Sequence, residues 1–370
     1  MCGFTFTVFL SAFQLLPTAP FHIKDMGGST FAAGLFLGFL TYSSAFSAPL
    51  TGAFADRFGT RPVLIVSSMA LAGFSLAYAV ITDVQLLLVL VVVHGVFWSA
   101  LLSASAAYMT GLLPERRRAE GIGYWGLSSV AALALAPTAG FWIYQRGWLW
   151  LCIVGAALNL MMAIIALNLR RDIQPMRQFS ARKRGLLEWR VLVVSGCLFL
   201  YSFGYGGITS FTALYADANG VTPKSIYLIT LAIVILVTRP FSGRLGDRFG
   251  YARVFVPCLV LISIGLACLA VAGTRGWMIA SAIIFGIGFG TAYPVYVGYV
   301  MQDVSAERRG AAFGAILAAF DTGIGTGSTA IGWLIQRFGY STAFAIAAAL
   351  SAFALPYFVA VDRILRRPDD

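Results

Sequence analysis

Apolar residues fill this chain in long blocks broken by short polar stretches, and each block has about the 20 residues that a helix needs to cross a bilayer core. The pattern predicts twelve such spans, at 1–20, 31–53, 62–82, 85–113, 121–144, 148–169, 190–215, 222–243, 254–273, 276–302, 310–335 and 340–361. Almost nothing is left over for a soluble domain. The expected fold is therefore all-α and integral to the membrane, with about twelve transmembrane helices. Composition agrees: of 370 residues, 59% are hydrophobic and 11% charged, far from the usage of a soluble domain. Met1 enters the first span with no polar lead and no cleavable signal is evident, so a start lying further upstream is left open.

Charge adds a direction. Basic residues collect in cytoplasmic loops of membrane proteins, and 21 of the 26 here fall in alternate breaks or the tail. Arg57 and Arg61 follow span 2, and Arg116, Arg117 and Arg118 follow span 4. Seven lie between Arg170 and Arg190. Arg239, Arg244, Arg248 and Arg253 are counted with the end of span 8, and Arg308, Arg309, Arg363, Arg366 and Arg367 come later. Lys24, Arg146, Lys224, Arg275 and Arg337 fall singly in the other breaks. Both termini are expected on the cytoplasmic side of the cell membrane. The net charge of +11 is thus a topology signal, and nucleic acid is not an expected partner.

The chain repeats itself. Asp56 and Asp247 stand 191 residues apart, and the same offset sets Pro49 on Pro240, Gly52 on Gly243, Arg57 on Arg248, Phe58 on Phe249 and Gly59 on Gly250. It also sets "TAGFWIYQR" on "TAIGWLIQR", and Arg117, Arg118 and Gly123 on Arg308, Arg309 and Gly314. Two homologous six-span halves follow: an N-terminal bundle at 1–169, a basic cytoplasmic linker at 170–189, and a C-terminal bundle with a short tail at 190–370. Because six is even, the halves are parallel repeats, an arrangement in which transporters bind substrate where the repeats meet.

Two six-span halves, a basic central loop and G-x-x-x-D-R-x-G after the second span of each half resemble the major facilitator superfamily of secondary transporters. "LLPTAPFHI", "PERRRAEGIG" and "LAPTAG" are more similar to its twelve-span drug and metabolite efflux branch. The resemblance implies a monomer that moves a small molecule by alternating access, with protons as coupling ions and no cofactor or metal.

In the loop motif, glycine supplies turn geometry, and Gly52 and Gly243 are expected to allow close helix approach. An aspartate is stabilised at the positive end of a helix. The resemblance places Asp56 near the start of span 11, around Gly310 and Ala311, and Asp247 near the start of span 5, around Gly121. Together with Arg57, Arg61 and Arg248 they would form a cytosolic latch. The plainer alternative is that these charges only solvate a loop.

Within the spans, an ionisable group is costly and is a functional candidate by default. Asp321 in "AAFDTGIGTGS" and His94 in "VVVHGVFWS" are the candidates for proton coupling, and at the 191 offset they meet Val130 and Phe285, outside the duplicated scaffold. Asp321 could instead satisfy a backbone loosened by Gly323 and Gly325, and His94 could be a hydrogen-bonded packing residue. Spans 1, 4, 7 and 10 line the pathway in the superfamily, which makes Gln14, Trp98, Tyr201, Tyr205, Tyr293 and Tyr296 cavity candidates, suited to flat amphipathic molecules. Pro17, Pro294 and the pair Gly206 and Gly207 are plausible bending points.

Some departures qualify the efflux reading. Val91 stands where the branch carries an arginine, and Ala132, Ala136 and Phe141 replace glycines of its span-5 motif, although Gly123, Pro137 and Gly140 match. Uptake by symport or facilitated diffusion is the alternative. No G-x-x-x-x-G-K-[ST] loop for ATP occurs. An integral-membrane enzyme would need clustered His, Asp or Glu, for which two histidines and one deep carboxylate are poor material. The five cysteines have spacings that suit neither metal nor disulfides and are expected to pack as small hydrophobes.

Overall fold

The computed structural model describes residues 1–112, 118–170, 189–302, 304 and 309–365, without the side chains of 110, 118–125, 189–190, 309–311, 313 and 363–365. The linker at 170–189 and the helix starts expected to receive Asp56 and Asp247 therefore fall almost wholly outside the described side chains.

Backbone groups in hydrocarbon must satisfy one another, which a helix does within itself, and the described residues form helices without strands. The first half contains α1 (Cys2–Leu15), α2 (Ala19–Asp25), α3 (Thr30–Phe58), α4 (Thr60–Val80), α5 (Val84–Leu112), α6 (Arg118–Tyr144) and α7 (Trp148–Leu167). The second contains α8 (Trp189–Val194), α9 (Gly196–Ala218), α10 (Ile226–Phe249), α11 (Tyr251–Ala270), α12 (Arg275–Gln302) and α13 (Arg309–Leu365). Among the described residues, eleven stretches are long and apolar enough to cross a membrane. The last is double, because Gly339 (φ 81) breaks α13 into two arms. α1 and α2 make one crossing, separated by a turn at Leu16, Pro17 and Thr18. Pro17 bends the chain as expected, whereas Pro294 lies inside an uninterrupted α12.

Large apolar side chains stand outward along the helices, with Phe46 and Val80 each 77% exposed. In water such surface would drive association; facing lipid it is the expected exterior.

The described chain divides into two compact units. One comprises Met1–Gly28 and Phe39–Arg184. In it α4 packs on α5 and α7, and α1 on α6 and α7, around Phe4, Val8, Leu64, Leu71, Leu101 and Met162. The other comprises Ser29–Gly38 and Gly185–Asp370, so the opening turns of α3 belong in space to the second half. Gly34 explains how they fit there: a Cβ on it would strike the backbone of Ser328, whose hydroxyl donates to the Gly34 carbonyl at 2.9 Å. The Phe31 amide also donates to Gln336 Oε1 at 3.1 Å.

In the second unit α9 is the innermost element, with 83% of its apolar window buried against 39% in α10 and α11. Its seam with α13 is built from small residues, which let helices approach closely in lipid. A Cβ on Gly206 would collide with the Ile324 carbonyl, and one on Gly327 with the Phe203 carbonyl. Ser210 and Ser328 share a hydrogen bond of 2.8 Å across the seam, and Ser202 Oγ donates to the Phe320 carbonyl at 3.0 Å. Gly206 and Gly207 therefore serve close packing inside a continuous α9. Gly323 and Gly325 likewise lie in regular helix, and the loosened backbone weighed for Asp321 is not what surrounds it.

Candidate functional site

The duplicated motif lies on helix rather than in loop. α3 runs to Phe58 and α10 to Phe249, so Asp56, Arg57, Asp247 and Arg248 occupy their last turns, beyond the span ends expected at 53 and 243. A charged final turn reaches the aqueous interface, where the helix can continue, and a basic residue suits its negative end. The break itself is one glycine in each half, Gly59 (φ 90) and Gly250 (φ 87). The guanidinium of Arg57 lies 5.4 Å from the Phe58 ring centroid, and that of Arg248 5.3 Å from Phe249.

Other parts of the motif have diverged. Arg61 donates from Nε to the Ala166 carbonyl at 3.2 Å and from Nη2 to the Leu167 carbonyl, capping the end of α7. In the second copy, Tyr251 donates its hydroxyl to the Asp247 carboxylate. Gly52 and Gly243 correct an expectation: a Cβ on either would meet nothing within 4 Å among the described residues. Among the described residues neither makes a close helix approach.

In the first unit, His94 is held by neighbours. Tyr78 Oη lies 2.8 Å from His94 Nδ1, and Phe74 stacks on the imidazole at 5.5 Å. Asn159 Nδ2 donates to Ser75 Oγ at 3.0 Å, and Ser75 donates to the Leu71 carbonyl. Gln14, Ser75, Tyr78, His94, Trp98 and Asn159 line a cavity of about 30 Å³, room for about one water. Gln14, His94 and Trp98 do converge, around a space too small for an organic substrate.

The second unit holds a larger polar and aromatic cluster. Tyr205 stacks on Phe289 with centroids 4.3 Å apart, and Tyr201 meets Phe289 and Phe320 edge-on at 5.8 and 6.2 Å. Tyr293 lies 5.1 Å from Phe320 and within electrostatic range of Asp321. Tyr296 sits apart: its hydroxyl bonds Ser195 Oγ at 3.0 Å and its ring packs on Phe255, in the core.

Arg239 completes this cluster, and sequence reasoning had counted it with the loop cations. It lies ten residues before the end of α10, about 15 Å at 1.5 Å per residue, and within electrostatic range of Tyr293, Tyr205 and Tyr201. Counted from their ends on the same side, Tyr293 is nine residues deep in α12 and Asp321 twelve residues into α13, so the three share a depth. The missed signal was position: "VTRPFSG" puts the arginine inside the apolar run, several residues before the motif begins.

The family model described as Major Facilitator Superfamily matches residues 1–233 and 194–369. The chain is 26% identical to the MFS-type transporter YhhS of Escherichia coli K12, over 99% of this chain and 92% of that protein. It is also 26% identical to an MFS-type transporter of Pseudomonas aeruginosa, over 99% and 93%. Among solved structures, a mutant of the nucleoside transporter NupG superposes with a TM-score of 0.80 at 16% identity, covering 97% of this chain and 98% of that one. The human organic anion transporter MFSD10 gives 0.70 at 16%, covering 96% and 97%. A POT family transporter in complex with a thioalcohol-conjugated peptide gives 0.80 at 12%, covering 99% and 96%.

Proposed function

This chain belongs to the Major Facilitator Superfamily, and on that premise we propose that it is a secondary transporter that exports a small amphipathic molecule in exchange for protons. The observation that carries the coupling is Asp321. Among the described residues it is the one carboxylate deep in a spanning helix, it stands beside Tyr293, and it has no counterpart in the first half. A membrane-embedded carboxylate is expensive to keep and marks proton relays. Protonated, it can cross the transport cycle without an uncompensated charge; ionised, it returns ready for the next proton.

Export rather than uptake rests on the likeness of "PERRRAEGIG" and "LAPTAG" to the efflux branch. The structural neighbours have names that refer to nucleosides, organic anions and peptides, so the fold leaves the cargo open. Asp56 and Asp247 are proposed to govern gating on the strength of the repeated motif. Asp56→Asn is then expected to change the cytosolic labelling of a reporter cysteine, and unchanged labelling would remove that role.

The test of coupling uses everted vesicles with an acidic interior and a pH-sensitive dye. Amphipathic compounds are added singly to wild-type and Asp321→Asn vesicles. A compound that collapses the gradient only with Asp321 intact supports antiport and identifies a cargo; equal collapse in both removes Asp321 from the coupling.

A further inference from the structure

Arg239 is a half-buried cation inside α10, four residues before the span end expected at 243, whose guanidinium makes no hydrogen bond or ion pair with any described residue. An arginine inside a spanning helix is costly to keep, so its retention calls for a compensating partner. Asp321 makes no ion pair with it: among the described residues the groups within electrostatic range of Arg239 are Tyr293, Tyr205 and Tyr201, and Tyr293 is within range of Asp321 as well.

Helix packing fixes Arg239 where it is. α10 crosses α12 where Thr238 sits against Gly290, since a Cβ there would crowd the threonine hydroxyl. Arg239 is the next residue on α10, and Tyr293 is one turn beyond Gly290 on α12, so the crossing brings them level. A second group in the same place also lacks a partner. Tyr201 is fully buried, and its hydroxyl has no hydrogen-bond partner. A buried hydroxyl left without a partner is costly. A guanidinium without a partner thus lies within electrostatic range of a buried phenol without one, near aromatic rings of Phe289, Phe320 and Tyr205.

We infer that Arg239 and Tyr201 bind the carboxylate of an organic anion whose flat apolar body lies against Phe289 and Phe320. A guanidinium matches a carboxylate with two parallel N–H···O bonds, the tyrosine hydroxyl adds a third donor, and the rings accept a planar body. A cationic cargo would meet the wrong charge at Arg239. A neutral one would leave the guanidinium unneutralised. The inference rests on the transport reading only in treating this ligand as cargo; binding itself is measured without a membrane gradient.

The experiment is thermal unfolding of the purified full chain in detergent with benzoate, 1-naphthoate and indole-3-acetate, each beside its neutral amide and the corresponding amine. Carboxylates are expected to raise the wild-type Tm with saturable dose dependence, and amides and amines to leave it unmoved. Apparent affinity should fall at least tenfold in Arg239→Gln, recover in part in Arg239→Lys and weaken several-fold in Tyr201→Phe. Should Arg239→Gln lack a cooperative transition, the lysine and phenylalanine variants decide. No stabilisation by any carboxylate, equal stabilisation by the amides, or full affinity in both Arg239→Lys and Tyr201→Phe would overturn the inference. Carboxylate binding without proton-linked flux would instead contradict antiport and leave the site standing.

Discussion

Gly59 and Gly250 hold the same left-handed backbone, φ 90 and φ 87, at matching junctions of the two halves. Each is the single residue between two membrane helices, α3 and α4 in one case and α10 and α11 in the other. With ψ of 151 and 133 this is a region that essentially only glycine enters, and a side chain there costs about 1–3 kcal/mol. Gly59→Ala and Gly250→Ala should therefore each lower stability by about that amount in thermal or denaturant unfolding. Gly52→Ala and Gly243→Ala, in helix and with no described neighbour for their Cβ atoms, should not lower it and should raise it by up to about 1 kcal/mol, alanine being the better helix former. Equal losses at all four positions would show that the motif glycines are kept for contact.

Arg61 holds the C-terminal carbonyls of α7 at Ala166 and Leu167. A cation at a helix C-terminus contributes about 0.3–1 kcal/mol, and more when partly buried. Arg61→Gln should speed amide hydrogen exchange in the last turns of α7 and leave α11 as it was. No change in α7 would mean that the cap carries no weight there.

Proton handling is proposed for Asp321, whereas the His94 imidazole is held by Tyr78 and Phe74. Interhelical hydrogen bonds in membranes contribute about 0.6 kcal/mol on average and up to about 1.7. Tyr78→Phe should cost stability in that range, and His94→Gln should retain proton-linked flux while lowering the unfolding temperature. Flux lost in His94→Gln at wild-type stability would transfer the coupling role to the histidine.

The membrane architecture was legible because lipid imposes a length and an apolarity on every span, and the repeat was legible because Gly59 and Gly250 must both be glycine. Helix ends were less so: Asp56 and Asp247 read as loop charges, but an interfacial turn tolerates charge and stays helical. "TGIGTGS" read as loosened backbone, although the same glycines equally permit the tight seam that Gly327 makes with Phe203. Only the partner helix distinguishes the two. Tyr296 and Tyr293, three residues apart on α12, looked alike as cavity candidates, yet one bonds Ser195 in the core and the other lies near Asp321 and Arg239. Arg239 was hidden by its neighbours, since a basic residue close before a basic loop is counted with the loop.

The most direct measurement of the central claim is net transport in proteoliposomes that carry a pH gradient and no other driving force, using a cargo identified in everted vesicles. Wild-type protein is expected to concentrate that cargo in the acidic lumen, and the accumulation should vanish with an ionophore that dissipates the gradient. Asp321→Asn should still exchange labelled for unlabelled cargo but should not concentrate it. Accumulation by Asp321→Asn at the wild-type level, or wild-type flux indifferent to the gradient, would contradict proton-coupled export through Asp321.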